Sequence, residues 1–230
     1  LPSPPALLLL SFPPTRRGTL TTPGGLQLHT QCWAPEAPPR GLVLAVHGYA
    51  EHCARLADVA QACVEQTAAV YTYDQRGHGR SGGRRAYVDA FDDYLDDLGL
   101  VLDRVRTLHP DRPLFLFGHS MGGLVALKYV LDRAPDVRGL LLSAPALEVN
   151  PDLAPVLRRM AQQLGRFAPT LPTVRSPEGA LSRDPAVVAD AEHDPLNYHG
   201  GVRARTGAEL LRAGSAVRDR LHEVRAPFLV

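Results

Sequence analysis

Hydrophobic and polar positions follow two alternating periods along most of this chain. Continuous apolar runs, typical of strands that are buried on both faces, occur at residues 42–46 and 113–117, and the mostly apolar residues 137–142 predict another strand. Residues 68–73 favour a further strand, and the alternation at 26–33 predicts a half-exposed antiparallel strand. Between these runs, apolar residues recur at spacings of three and four, most clearly from Phe91 to Leu108. Strands that alternate with helices predict an α/β fold, with a mostly parallel sheet and helices on both faces.

Two segments depart from this pattern. Residues 1–16 are rich in proline and precede the first regular element, so we expect a disordered leader. Between about residues 148 and 200, prolines interrupt the pattern around one helical stretch, as in a cap above an active site. A last helix at about 205–223 leads into a strand near residue 226. We therefore predict a leader at 1–16 and a domain at 17–230 that carries a cap at about 148–200.

Composition narrows the classes of function. The 25 Lys and Arg residues nearly balance the 24 Asp and Glu residues, which argues against nucleic acid as a partner. Three cysteines without C-x-x-C spacing predict neither a disulfide framework nor a zinc site. No phosphate-binding glycine loop is present, so we predict no cofactor and no metal. The four leucines of the leader have neither the length of a membrane span nor the basic start of a signal peptide, and we expect a cytoplasmic protein.

A G-x-S-x-G motif at residues 118–122 carries the clearest chemistry. It lies between the apolar strand at 113–117 and a helical pattern that begins near Leu124. Strand, G-x-S-x-G and helix together form the setting of a nucleophile elbow, in which a sharp turn exposes the serine hydroxyl. The glycines lack the Cβ atoms that would collide where the strand and the helix approach. Ser120 is therefore the candidate nucleophile.

An ordered set of motifs resembles the monoacylglycerol lipase-like branch of the α/β-hydrolases, which includes lysophospholipases and serine aminopeptidase-like enzymes. The matching residues, from about 18 to 230, are His47-Gly48-Tyr49-Ala50-Glu51-His52 with Arg55, 74–81, 118–123, 143–145 and 194–196. The resemblance implies the α/β-hydrolase fold and an acyl-enzyme on Ser120. It also implies an oxyanion hole made by the backbone N–H groups of Met121 and Tyr49. The implied substrate is a monoacylglycerol or a lysophospholipid, bound under the cap. The apolar residues of the cap are also suited to transient contact with a membrane surface.

The resemblance implies further that the catalytic acid and histidine lie beyond Val230. We therefore expect an incomplete α/β-hydrolase domain without its last strands, and little or no turnover from these residues alone. Within the chain, alternative acids and histidines follow Ser120 and lie in the expected cap, where we interpret them as solvated: Asp152, Asp184, Asp190, Asp194, His193 and His199. His222 is expected to cap the end of the last helix.

The remaining polar residues of the motifs have structural interpretations. We expect His78 to brace the loop after Asp74, Asp74 and Arg76 to anchor that loop, and His119 to line the site. Glu51 and Arg55 have the spacing of a helical ion pair. Two other functions stay open: a non-catalytic protein that binds its ligand on the hydrolase scaffold, and a peptidase, since the scaffold does not distinguish esters from amides.

Overall fold

A computed structural model describes residues 12–148, 155–174 and 182–230, with the backbone alone described at residues 155–159. The strands of this part of the chain are β1 (Arg16–Thr21), β2 (Gln27–Trp33), β3 (Gly41–Val46), β4 (Ala68–Tyr73), β5 (Leu114–His119), β6 (Gly139–Ser143) and β7 (Phe228–Leu229). The helices are α1 (Ala57–Glu65), α2 (Asp92–Leu108), α3 (Met121–Arg133), α4 (Pro155–Phe167), α5 (Pro185–His193) and α6 (Ala204–Asp219).

The strands form one sheet in the order β1-β2-β4-β3-β5-β6-β7. The pairs β1–β2 and β2–β4 are antiparallel, and all the pairs from β4 to β7 are parallel. Val46 is in register with Gly118, and His119 with Ser143, so the carboxyl ends of β3, β5 and β6 meet at one edge. The predicted, mostly parallel sheet is confirmed, and Ser120 follows β5, an interior strand next to the central strand β3.

The two faces of the sheet are covered by different helices. On β3, Leu42 and Leu44 belong to the cluster that includes buried residues of α2 and α3, such as Leu98. Val43 and Ala45, which point to the opposite face, belong to the cluster under α1. This division confirms the prediction of helices on both faces. It explains why β3 reads as a continuous apolar run.

The ordered domain begins earlier than residue 17. Strand β1 starts at Arg16, and before it the Thr15 hydroxyl donates to the carbonyl of Cys32 at 2.9 Å. The indole N–H of Trp33 also donates to the carbonyl of Phe12 at 2.9 Å. The sequence pattern did not predict β1, because all but one of its residues are exposed. Residues 1–11 of the expected leader lie outside the described residues.

The segment predicted to form a cap, about residues 148–200 and called the cap below, contains two helices among its described residues, α4 and α5, where the pattern predicted one. Helix α4 spans Pro155–Phe167, close to the predicted stretch, whereas α5 spans Pro185–His193 and was not predicted. The residues 149–154 and 175–181 of the expected cap lie outside the described part of the chain. The last predicted helix ends at Asp219, and a separate 3-10 turn, Leu221–Glu223, follows it. No helix in the described ranges has the length and apolar character needed to cross a bilayer.

Candidate active site

Ser120 lies at a sharp turn between β5 and α3. Its backbone has φ 50° and ψ −115°, a conformation that L residues rarely adopt and that strains the chain. The turn is held from both sides, since the Ser120 N–H donates to the carbonyl of Ser143 at 2.9 Å and the Ser120 carbonyl accepts from Gly123 at 3.0 Å. The side chain is partly exposed and makes no hydrogen bond to any described residue. The strand–turn–helix geometry predicted for an elbow is therefore present at residue 120.

The glycines around Ser120 allow three backbone segments to approach each other. A Cβ on Gly118 would lie 2.6 Å from the Cα of Gly123. A Cβ on Gly122 would lie 2.2 Å from the carbonyl oxygen of Val46, which belongs to the neighbouring strand β3. These distances are shorter than any real Cβ contact, so the start of α3 can lie against β3 and β5 only with glycine at both positions.

The residues His47–His52, called here the β3 loop, pass directly beside Ser120. A Cβ on Gly48 would be 3.3 Å from the Cβ of Ser120. The Gly48 N–H donates to the Glu51 carboxylate in a short hydrogen bond, which folds the loop back on itself. No described group accepts the backbone N–H of Tyr49 or of Met121. The loop thus lies against Ser120 at Gly48, the residue that precedes Tyr49.

Two buried histidines support these loops in their neutral form. The His47 Nε2 accepts the N–H of Gln75 at 2.9 Å, so its Nδ1–H donates to the carbonyl of Gly48 at 2.7 Å. Burial lowers the pKa of His47 to about 3, with a further contribution from the adjacent His78. Burial likewise lowers the pKa of His78 to about 4, and its Nδ1 donates to the carbonyl of Arg76 at 2.9 Å. The predicted bracing role of His78 is confirmed.

Asp74 and Arg76 anchor the loop that follows β4, as predicted. The two carboxylate oxygens of Asp74 accept the backbone N–H groups of Cys53 at 2.8 Å and Arg80 at 2.7 Å. The Arg76 guanidinium makes a bidentate pair with Asp97, at 2.7 and 2.8 Å. Bidentate geometry and burial of Asp97 make this the strongest kind of charged hydrogen bond.

One group of side chains has the spacing that a metal ion needs. Ligand atoms of His29, Cys53 and Asp74 lie within 4.8 Å of one another. However, both oxygens of Asp74 already accept backbone N–H groups. Burial also raises the pKa of the Cys53 thiol well above its ordinary value, which favours the protonated form over the thiolate that binds metals. We therefore interpret this group as a hydrogen-bonded anchor of the loop.

The acids and histidines of the cap do not form a triad with Ser120 in the described residues. Asp184 accepts from the N–H of Ala186 and caps α5, while His193 donates to the carbonyl of Ala189. His199 contacts the carbonyl of Asp194 at 2.9 Å. His222 is exposed in the 3-10 turn after α6. Asp152 lies outside the described residues.

Arg55 does not pair with Glu51, and that prediction is wrong. Its guanidinium contacts Asp190 at 3.0 Å and Asp194 at 3.5 Å, both in the cap. The side chains of these two acids are buried, so the prediction that they are solvated is wrong. The Glu51 carboxylate instead accepts a hydrogen bond from the Gly48 N–H. His119 lies at the elbow, where its Nδ1 is 3.1 Å from the hydroxyl of Ser143. The polar residues near Ser120 therefore divide into those that hold the β3 loop and those that hold the cap.

Comparison with known proteins decides the family. The family described as serine aminopeptidase, S33, matches residues 37–230. The chain belongs to this family. The monoacylglycerol lipase of Mycolicibacterium smegmatis is 36% identical over 207 residues, which cover 90% of this chain and 74% of that protein. The monoglyceride lipase of Rattus norvegicus is 33% identical over 212 residues, which cover 92% of this chain and 70% of that protein.

A solved structure supports the same conclusion. The monoacylglycerol lipase of Paleococcus ferrophilus is similar with a TM-score of 0.75 and 27% identity, over 87% of this chain and 75% of that chain. The S33 family member described here thus has the α/β-hydrolase fold and is a monoacylglycerol lipase-like hydrolase, as the motifs implied.

Sequence reasoning about this S33 family member missed the contacts between the cap and the β3 loop. His52 and Asp194 form a buried pair at 2.8 Å, although 142 positions separate them. Both residues belong to the motifs that carry the family resemblance, and that membership was the available signal. No periodicity relates residues so far apart, so the pairing became visible only in the folded chain.

Proposed function

We propose that this protein is a serine hydrolase that cleaves the carboxylic ester of a monoacylglycerol or a lysophospholipid through an acyl-enzyme on Ser120. The observation that carries the proposal is the strained turn at Ser120, next to which the backbone N–H groups of Tyr49 and Met121 have no acceptor among the described residues. The relatives named monoacylglycerol lipase and monoglyceride lipase support this substrate class.

The chemistry follows from this arrangement. The Ser120 hydroxyl adds to the ester carbonyl, and the carbonyl oxygen gains negative charge. The Tyr49 and Met121 N–H groups stabilise that charge, and loss of one such donor typically costs about 3–4 kcal/mol of activation free energy. The positive end of the α3 dipole lies at Met121 and acts in the same direction. Collapse of the adduct releases the alcohol and leaves the acyl group on Ser120, from which water removes it.

The serine also needs a base to take its proton. The resemblance implies a histidine and an acid in this role, and no described histidine is hydrogen-bonded to Ser120.

The test compares the chain with its Ser120→Ala variant. Each is incubated with 1-monooleoylglycerol or with lysophosphatidylcholine, and released oleate and the mass of the peptide that contains residue 120 are measured. We expect oleate release and an acyl adduct on Ser120 in the unchanged chain, and neither in the variant. The preferred head group is that of the substrate from which the acyl adduct on Ser120 forms faster. Equal oleate release by the two proteins would contradict the proposal.

A second candidate is a non-catalytic protein that binds a monoacylglycerol. It is favoured by the lack of a histidine–carboxylate pair on Ser120 in the described residues. Binding of the ether 1-O-octadecylglycerol, with no acyl adduct on Ser120 after hours with the matching ester, would select this function. Formation of the adduct would select the hydrolase.

We propose further that the cap contacts a membrane surface. Exposed apolar side chains recur along α4 and beyond it, at Met160, Leu164, Phe167 and Leu171. Met160, Leu164 and Phe167 are spaced by four and three residues, which places them on one face of α4, and Leu171 follows the helix. Met160 is 61% exposed, and Phe167 is 77% exposed although the Arg166 guanidinium lies 5.6 Å from its ring. The three free thiols support a reducing, cytoplasmic location for this contact.

A further inference from the structure

A buried histidine–carboxylate pair joins the cap to the β3 loop. Asp194 is 4% exposed and His52 is 3% exposed, and the Asp194 Oδ2 lies 2.8 Å from the His52 Nε2. The same carboxylate has Arg55 at 3.5 Å, and its other oxygen accepts the N–H of Leu196 at 2.9 Å. Removal of a carboxylate from water costs free energy, and contacts to both carboxylate oxygens are needed to offset that cost. The cap is therefore attached to this loop through specific polar contacts.

The residues 194–199, called here the cap clamp, hold the β3 loop at a second point. The Tyr198 N–H donates to the carbonyl of Ala50 at 2.8 Å, and the rings of Tyr49 and Tyr198 meet edge to face at 6.5 Å. The two attachments, at Ala50 and at His52, bracket the chain immediately after Tyr49. A segment held in this way has little freedom to rotate the peptide groups next to it.

Ala50 gives a reason why the loop needs to be held. Its φ of 68° lies in the left-handed region, where a residue with a Cβ is strained by about 1–3 kcal/mol. Such a conformation persists only where the surroundings impose it. The bond from Tyr198 to the carbonyl of Ala50 is one of the contacts that do so.

The cap clamp is itself rigid. The carbonyl of Asp194 accepts from Asn197 at 3.2 Å and contacts the His199 Nε2 at 2.9 Å, which closes a tight turn. Arg85, from the loop after β4, donates to the carbonyl of Leu196 at 2.8 Å. The amide of Asn197 also donates to the carbonyl of Ala191 in α5 at 2.9 Å. The clamp can therefore transmit its position to the β3 loop, because it is fixed both to α5 and to the loop after β4.

We propose that Asp194 is a positioning residue, which acts through His52 and Ala50 to hold the amide of Tyr49 toward the position of the oxyanion. The proposal rests on the hydrolase function proposed above. In this role, Asp194 makes the geometry of the oxyanion hole depend on the position of the cap. Displacement of the cap therefore weakens transition-state stabilisation even if the substrate still binds.

The first test does not depend on activity. Hydrogen–deuterium exchange of the peptide that contains residues 47–52 is measured in the unchanged chain and in Asp194→Asn. We expect the amides of the β3 loop to exchange at least tenfold faster in this variant. The matched control is Asp184→Asn, which changes an exposed acid of the same cap. Unchanged exchange in Asp194→Asn would overturn the proposal. If Asp194→Asn does not fold, His52→Gln tests the same contact from the loop.

The second test separates positioning from binding. In Asp194→Asn we expect kcat for 1-monooleoylglycerol to fall about 10–100-fold with KM within twofold, because an oxyanion donor acts in the transition state. Affinity for an alkyl boronic acid, which forms a tetrahedral adduct on serine, should fall by the same factor. His52→Gln should have the same effect, and the double variant should add nothing further.

The outcomes distinguish the two proposals. A rise of KM with unchanged kcat would overturn the positioning role and assign Asp194 to substrate binding. A fall in kcat of about 10⁴-fold in Asp194→Asn alone would identify Asp194 as the acid of a triad. That result would also overturn the positioning role. If the unchanged chain cleaves no ester, the hydrolase proposal fails, and the exchange experiment then decides whether the clamp holds the β3 loop.

Discussion

At the scale of single residues, the site depends on two kinds of position: residues whose backbone is strained, and glycines, which have no side chain. Ser120 adopts a positive φ, which turns it out of the line of β5. Gly118 and Gly122 permit the close approach of strand and helix that forces this turn. The motif and its flanking pattern predicted both features, because the steric demand is local. The left-handed conformation of Ala50 was not predictable, since alanine has no preference for it.

The first prediction concerns Gly122→Ala. The added Cβ would meet the carbonyl oxygens of Val46 at 2.2 Å and His47 at 2.6 Å, and backbone atoms of a central strand cannot move aside. We expect the free energy of unfolding to fall by at least about 3 kcal/mol, measured by urea denaturation. Gly207→Ala in α6 is the control, because its Cβ would meet only a side-chain methyl group of Val202 at 3.3 Å. This control should be unchanged or more stable by up to about 1 kcal/mol. Equal urea midpoints for the unchanged chain and Gly122→Ala would contradict the steric account.

At the scale of elements, periodicity predicted those segments whose burial is regular. Strands β3, β5 and β6 and helix α2 have apolar residues at the period of their structure, and each was predicted near its observed bounds. Strand β1 is mostly exposed and α5 buries only Ala191, so neither has such a pattern. Contacts with neighbouring residues stabilise both elements instead: β1 pairs with β2, and Asp184 caps the N-terminus of α5.

Helix α4 carries the prediction at this scale. Gly165 faces α6, where a Cβ would lie 2.9 Å from that of Ala208, whereas Met160 and Phe167 are exposed. We expect Met160→Ser combined with Phe167→Ser to weaken binding to phosphatidylcholine vesicles at least tenfold, measured by cosedimentation. The reason is that burial of each side chain in lipid contributes about 2 kcal/mol.

The matched control for the vesicle experiment is Leu108→Ser. Leu108 is 45% exposed but lies at the end of α2 rather than in the cap. Its substitution should leave vesicle binding unchanged. The membrane proposal is refuted if the double variant sediments with vesicles as strongly as the unchanged chain does.

At the scale of the whole molecule, the sheet brings together segments that are far apart in sequence. The carboxyl ends of β3, β5 and β6 place Gly48, Ser120 and Ser143 side by side. The loops that meet there are supported by two neutral histidines buried beneath them, His47 and His78. Burial of groups that would be charged at mild acid makes the stability of the entire domain depend on pH.

The third prediction is a loss of stability in mild acid. In the folded chain, burial lowers the pKa of His47 to about 3 and that of His78 to about 4, from an ordinary value of 6.5. The unfolded chain therefore binds more protons below pH 6.5, and the stability present above that pH is lost progressively toward pH 4. Each histidine should cost about 2 kcal/mol at pH 5 relative to pH 7.5, which urea unfolding at the two pH values measures.

Two variants check the source of this pH dependence. His78→Gln should reduce the difference between pH 7.5 and pH 5 by about half. His222→Gln, which changes an exposed histidine, should leave it unchanged. Lowered pKa values of Asp74 and Asp194 act in the same direction, but below their ordinary value of 3.8. Equal stability at pH 5 and pH 7.5 would show that His47 and His78 become charged without unfolding the chain.

The sequence by itself determined the α/β class, the nucleophile elbow and the family, because each depends on local patterns: apolar periodicity, glycines at a tight turn, and motifs in a fixed order. Only the tertiary structure decided which polar residues meet. Arg55 lies four residues from Glu51 but pairs with Asp190, and His52 pairs with Asp194. A buried charge takes the partner that folding brings within about 3 Å, and that partner is set by the path of the whole chain rather than by spacing along it.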